Sequence, residues 1–238
     1  TKSSTLTSFD PSSNTKSSKI PEWIGRYRLV SKLGSGGQAD VFRAVHPALE
    51  REVIIKLAHQ PLPRDPERNE RLVAEGRLLA SLKHPNLAAV FDFDFFEGRP
   101  FLVMEYVPGT NLRQHYEHLS VEPMEAALLV ARLSRAVATA HAGGIIHRDI
   151  KPENVVIDAD GKPRLIDFGF ASVRDAWQNN EEAHGTVVGT VAFMAPEQAC
   201  GKTGQIGPQT DVFALGAVLY YLLTGQAPFA EGSFEKAW

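Results

Sequence analysis

Hydrophobic periodicity turns from mainly strand-like to mainly helical along this chain, and the change falls at the Pro-Gly break of "VPGT", Val107 to Thr110. Ahead of it, apolar residues recur in short strand-like runs: "YRLVSKL", "ADVFRAV", "EVIIKLA", "LAAVFDFDF" and "PFLVMEY", separated by Gly- or Pro-containing turns. One helical segment interrupts them, "RDPERNERLVAEGRLLASLKH", with Asp65 as a cap and Pro66 at the first helical position, where no N–H is needed. Beyond Gly109 the pattern is mostly helical. "EPMEAALLVARLSRAVATAHAGG" places apolar residues at 129, 133, 136, 137 and 140, one face of a helix, and Gly143 marks its stop. A strand-rich part, a break and a helical part predict an α+β fold of two lobes with a cleft between them. Residues 1–20 form a Ser/Thr-rich arm too poor in apolar side chains to offset the entropy of ordering; 21–107 make the first lobe and 108–238 the second.

Composition narrows the function classes. Twenty-five basic and 28 acidic residues give a formal charge of -3, which argues against a nucleic-acid binder, since that role needs a basic face. A local basic pocket for phosphate remains compatible. Cys200 is the only cysteine, so no disulfide framework exists and a reducing, cytoplasmic compartment is expected. The first twenty residues lack the apolar core of a secretory signal. The longest apolar run, "VFALGAVLYYLL" (Val212 to Leu223), is too short to span a bilayer and reads as a buried helix. Because the chain opens on Thr1, tethering through a segment outside it stays open.

Polar residues set into this apolar frame carry the chemistry. In "LGSGGQADVF", Gly34, Gly36 and Gly37 lie between two strands, where a bare backbone can approach a ligand and aim N–H groups at phosphate; a plain hairpin turn has the same composition. In "EVIIKLA", alternation puts Val53, Ile55 and Leu57 on one face and Ile54, Lys56 and Ala58 on the other. A lysine in such a strand needs an anion. Glu75 shares the inward stripe of the following helix with Leu72 and Leu79, so either Lys56 and Glu75 meet or both reach solvent at lobe edges. "IIHRDIKPENVVI" inserts His147, Arg148, Asp149, Lys151, Glu153 and Asn154 between two β-branched runs that would carry them close to a core. With "LIDFGF", it supplies Asp149, Asn154 and Asp167: a base and a few hard oxygen ligands, which suit Mg²⁺ shared with phosphates.

In order along the chain come "GSGGQADVF", "VIIK", "HRDIKPEN", "DFG", "GTVAFMAPE" and "DVFALG". This set resembles the eukaryotic-type serine/threonine protein kinases, in particular their bacterial branch, over residues 27 to 238. The resemblance implies a two-lobed kinase fold, with an antiparallel sheet plus one helix in the N-lobe and a mainly helical C-lobe. It implies transfer of the ATP γ-phosphate to Ser/Thr hydroxyls with ATP and Mg²⁺ as cofactors. Asp149 would accept the hydroxyl proton, Lys151 would contact the γ-phosphate, and Lys56, paired with Glu75, would hold the α- and β-phosphates. Asn154 and Asp167 would bind the metal. The nucleotide would lie among Leu33, Gly34, Ser35, Gly36, Gly37, Val41, Ile54, Lys56, Met104 and Val156, with adenine on the backbone of Glu105 to Val107 and ribose near Asn111. Thr190 would help select the hydroxyl, and Asp211 would brace the catalytic loop from beneath. Implied partners are proteins bearing Ser or Thr, this kinase itself among them in trans, and no nucleic acid. Arg148 beside Asp149 implies control by a phosphate on the 167–197 loop, with Thr186 ahead of Thr190 and Ser172; backbone carbonyls or a carboxylate such as Glu181 or Glu182 could satisfy it instead. Glu153 gives a faint hint of a preference for basic residues.

Departures qualify the match. Ala39 replaces the third glycine, and Ile54 stands where the family has a small residue on adenine, opposite a Val156 smaller than the usual Leu, a compensating exchange of volume. The arginine that the family pairs with Glu197 comes from helices beyond those seen here, so the C-lobe is expected to be incomplete. A catalytically inactive nucleotide-binding or scaffolding fragment is therefore the competing expectation. "CGKT" (Cys200 to Thr203) mimics the end of a phosphate loop, but Pro196 stands where the first glycine belongs. His141 and His147 read as a helix-end and a core histidine rather than zinc ligands.

Overall fold

The alternating runs pair into one antiparallel sheet in the computed structural model, which describes residues 21–36, 39–61, 65–116, 121–167 and 191–229. The 1–20 arm, Gly37, and the stretch holding Ser172, Glu181, Glu182, Thr186 and Thr190 lie outside the described residues. The strands are β1 (Trp23–Ile24), β2 (Tyr27–Ser35), β3 (Ala39–His46), β4 (Arg51–Ala58), β5 (Val90–Phe96) and β6 (Arg99–Glu105), in the order β1-β2-β3-β4-β6-β5. Val53, Ile55 and Leu57 pack with Ile24, Tyr27, Phe42, Phe101 and Val103. Lys56 and Ile54 take the opposite face, beside cross-strand partners Val41, Leu102 and Met104. The predicted alternation thus decides which side of the sheet carries the lysine.

Helix α1 (Pro66–Ser81) buries Leu72 and Leu79 and crosses β5 at Gly76. A Cβ there would lie 2.8 Å from Phe93 Cβ and 2.9 Å from its Cγ. That approach sets the depth at which the neighbouring Glu75 is carried.

The helical part holds α2 (Leu112–His115), α3 (Pro123–Ala142), α4 (Pro196–Ala199) and α5 (Pro208–Thr224), with a small sheet of β7 (Gly109–Asn111), β8 (Val155–Asp158) and β9 (Pro163–Leu165). All five apolar positions read from the α3 sequence are buried. One sequence expectation holds and one is corrected. Gly143 is the C-cap of α3 at φ -84°, and the left-handed residue is Gly144, at φ +76°. The run in α5 is not buried all round: Ala214, Val218, Tyr221 and Leu222 are, whereas Val212 is 62% and Tyr220 46% exposed. A helix packed on α3 along one side turns its other stripe outward among the described residues. No helix among them is long and apolar enough to cross a membrane.

The switch at "VPGT" is not the only junction. Leu79, Val90, Leu102 and Met104 belong to the same core cluster as Leu112, Leu133, Ile150, Val155 and Leu222. Residues 86–88 also run beside β9. The Leu165 N–H donates to Asn86 O (2.8 Å), Ala88 N–H to Leu165 O (2.9 Å) and Asn86 Nδ2 to Pro163 O (2.6 Å).

Gly76→Ala separates two effects at this contact. Helix propensity favours alanine by about 1 kcal/mol, but the new methyl meets the rigid root of Phe93, and overpacking costs about 1–3 kcal/mol. Net destabilisation in urea unfolding is the expected outcome; a stabilised variant would show that α1 is free to lift from β5.

Candidate active site

The polar insert folds as a loop rather than as a link between two strands. The first run, at Ile145, is buried but is not a strand, because its N–H closes the end of α3 on Ala140 O (2.9 Å). The second run becomes β8, entered through a 3₁₀ turn over Pro152–Asn154. Between them Asp149 is held from two sides. Lys151 Nζ lies 3.0 and 2.9 Å from its carboxylate oxygens. Asn154 Nδ2 donates to the Asp149 backbone O (2.7 Å) and to Oδ2 (2.9 Å). The Asn154 amide is thereby oriented nitrogen-first toward Asp149.

Beneath the loop lies Asp211, only 1% exposed. Its Oδ2 accepts the His147 N–H (2.8 Å) and the His141 Nε2–H (2.7 Å), and its Oδ1 accepts the Arg148 N–H (2.8 Å). Arg148 has φ +64°, a conformation that L-residues other than Gly, Asn and Asp rarely adopt. Its carbonyl in turn accepts from Gln198 Nε2 of α4 at 2.8 Å. His147 receives the Asp149 N–H on Nδ1 (3.3 Å) and donates from Nε2 to Ile166 O (3.0 Å), which defines the neutral tautomer. The reading of His147 as a core histidine holds. His141, read as a helix-end residue, is also a donor to the buried acid; spacing alone gave no sign of a partner 70 positions away.

Across the sheet face, Lys56 Nζ meets Asp167 Oδ2 at 2.8 Å, a pairing the sequence reading did not assign. Glu75 is half-buried on α1. Asp167 lies at φ +73°, and the Ile166 N–H before it donates to Asn154 O (2.9 Å), tying the "DFG" entry to the catalytic loop. Asn154 Oδ1 and Asp167 Oδ1 accept no hydrogen bond among the described residues. Two uncommitted hard oxygens on adjoining segments fit Mg²⁺.

Met104 is buried next to Ile54, and Val156 is 9% exposed. Leu33 is exposed at the mouth of the glycine-rich turn, and Ser35 closes β2. Glu105 is fixed by more than its strand. Its carboxylate accepts the Ala89 N–H (3.0 Å) and the Arg164 guanidinium, which also donates to Leu87 O (3.0 Å). Arg164 gave no signal in the sequence. Asn111, expected at the ribose, spends its Oδ1 as the N-cap of α2 on the Gln114 N–H (2.9 Å). Glu153 pairs with Arg113, and Glu197 receives the Thr210 hydroxyl.

The site thus holds an acid and a lysine paired on one loop, and a second lysine on β4 paired with the acid that follows β9. The model of the protein kinase domain matches residues 27–237, and the chain belongs to the protein kinase family. It is similar to the serine/threonine-protein kinase PknA of Mycobacterium tuberculosis, 39% identical over 212 residues that cover 87% of this chain and 48% of that protein. It is also similar to PrkC of Bacillus subtilis, 37% identical over 207 residues, 86% of this chain and 31% of that one. The chain thus spans less than half the length of these curated relatives. The crystal structure of the M. tuberculosis PknI kinase domain matches with a TM-score of 0.68 at 25% identity, covering 88% of this chain and 76% of that one.

Burial pushes the His147 imidazole below its usual 6.5, only partly offset by the Asp211 and Asp149 carboxylates. The folded state holds the ring neutral, while the unfolded chain takes up a proton below about 6.5. The associated stability is therefore fully present above that pH and declines as pH falls, by at most about 1.4 kcal/mol per unit. Urea unfolding at pH 7.5 and 5.5 is expected to show a smaller pH-dependent loss in His147→Gln than in wild type. Equal losses would mean the ring is solvated.

Proposed function

We propose that this chain transfers the γ-phosphoryl group of ATP to Ser or Thr hydroxyls of proteins. The observation that carries the reading is the Asp149–Lys151–Asn154 cluster on a loop whose backbone is anchored on buried Asp211. Phosphoryl transfer needs positioning and charge neutralisation more than covalent chemistry by the protein. Asp149 is placed to orient the acceptor hydroxyl and take its proton, and Lys151 to balance charge on the transferred group. Lys56 anchors the α- and β-phosphates, with Glu75 holding the lysine. Asn154 and Asp167 would hold Mg²⁺, which when bound neutralises the phosphate oxygens. Residues 21–107 and 108–238 act as lobes on either side of the nucleotide. Adenine lies between Ile54 and Val156, near Leu33, Val41 and Met104, against the backbone of Glu105 to Val107; Asn111 Nδ2 is left for the ribose.

The same reading covers specificity, place and control. Protein substrates of a cytoplasmic enzyme, this kinase in trans among them, fit the family and the lone Cys200. Glu153 pairs with Arg113, so a basic residue of a substrate competes with that arginine for it. Arg148 receives a phosphate on Thr186. Mass spectrometry of the active chain should find Thr186 modified; active chain with an unmodified Thr186 removes this form of control.

Transfer of label from γ-labelled ATP to a protein acceptor tests the central claim. Asp149→Asn should lower the rate by about 100-fold or more with little change in the Kd for Mg-ATP. A wild-type chain that binds Mg-ATP yet transfers nothing would favour the non-catalytic reading.

A further inference from the structure

We propose that Asp40 is a positioning residue that clamps the glycine-rich turn from behind and fixes its distance to Lys56. The proposal rests on the reading of that turn as the cradle of the ATP phosphates. Among the described residues, little beyond the strand ladder fastens the turn. A Cβ on Gly34 would touch nothing within 4 Å, and one on Gly36 would meet only Ala39 O at 3.6 Å. The β2–β3 register slips between Lys32 and Gly34, so the ladder is irregular where the turn begins. Outside the β2–β3 ladder, one backbone bond among the described residues closes its base, Gly36 N–H to Ala39 O at 2.9 Å.

Three donors converge on Asp40 Oδ1. Ser35 Oγ donates at 2.6 Å, Lys32 Nζ lies at 2.8 Å and His59 Nε2 at 3.1 Å. A carboxylate only accepts, so the His59 proton sits on Nε2. Lys32 and Ser35 belong to β2, Asp40 to β3, and His59 directly follows β4, three residues after Lys56. One acid therefore ties the ends of three strands, including the strand that carries the phosphate-binding lysine.

Cross-strand parity places the clamp away from the ligand. Asp40 pairs with Leu57, whose side chain enters the core, while Val41 pairs with Lys56 on the opposite face. Asp40 acts through the backbone, and Lys32 offsets the charge it would otherwise present behind a polyphosphate. Burial alone would raise the Asp40 carboxyl, but the bonds from Lys32, Ser35 and His59 outweigh it and hold it at about 2. The acid is ionised throughout the physiological range. Side-chain exposures of 24% for Asp40 and 34% for Lys32 and His59 mean solvent screens the cluster, which limits the expected effect.

Adenosine and Mg-ATP discriminate this role from a general structural one, since only Mg-ATP engages the turn through phosphates. In Asp40→Asn, and more so in Asp40→Ala, the Kd for Mg-ATP should rise about tenfold while the Kd for adenosine stays at its wild-type value. Lys32→Met combined with Asp40→Asn should cost less than the sum of the two, because they share one contact. An unchanged Kd for Mg-ATP in both Asp40 variants overturns the clamp and leaves the kinase reading intact. Equal weakening of both ligands also overturns it, by showing general damage to the lobe. A wild-type chain that binds adenosine but not Mg-ATP overturns the phosphate-cradle reading, and the clamp with it.

Discussion

Asp211 receives the backbone N–H groups of His147 and Arg148 and the ring N–H of His141 while only 1% exposed. An unpartnered carboxylate at that depth would be prohibitive, and these bonds offset its desolvation. The arrangement spends a buried charge on conformation. A left-handed residue other than glycine costs about 1–2 kcal/mol, and Arg148 persists at φ +64° because Asp211 fixes its N–H and Gln198 its carbonyl. Asp149 is the next residue along, so its direction follows from that strain.

Opposite charges within the site are paired with one another. Lys56 lies against Asp167 and Lys151 against Asp149. In the proposed function a polyphosphate exchanges partners with these cations, which lowers the reorganisation needed on binding. Placement between the two parts of the chain is also more constrained than one "VPGT" hinge would allow. Residues 86–88 pair with β9, and Arg164 of β9 reaches the carboxylate of Glu105. The strand that delivers Asp167 and the segment proposed to hold adenine thus share a side-chain tie.

Much of this was legible because it rests on local periodicity or on a resemblance. The alternation in β4 gave the face of Lys56, and the 3.6-residue spacing gave the buried side of α3. Asp149, Lys151 and Asn154 converge as their short spacing allows, within one loop and one 3₁₀ turn. What escaped the sequence depends on long-range placement. His141 to Asp211, Arg164 to Glu105 and Lys56 to Asp167 are pairings between distant segments, which no local pattern encodes. The exposed stripe of α5 escaped for a related reason: composition gives hydrophobicity all round, whereas packing decides which face is covered.

Asp211, Asp40 and Glu105 solve one mechanical problem in the same way. A loop that borders a ligand site must leave its inner side empty, so inward packing cannot hold it. It has to be held from behind, by hydrogen bonds to backbone or to side chains of neighbouring segments. A carboxylate suits this because its two oxygens offer about four acceptor sites and no donor. It can gather N–H and O–H groups from two other segments at one point, as Asp40 does with Lys32, Ser35 and His59 and Glu105 with Ala89 and Arg164. The choice carries a penalty in a site for an anionic ligand, since each acid adds negative charge nearby. Here a cation or histidine accompanies each one: His141 at Asp211, Lys32 and His59 at Asp40, Arg164 at Glu105. An acid set into a strongly apolar stretch, as in "DVFALG", "ADVF" and "VMEY", is therefore informative in itself. It marks where a chain uses charge to hold backbone, and its basic partner lies wherever the fold can deliver one.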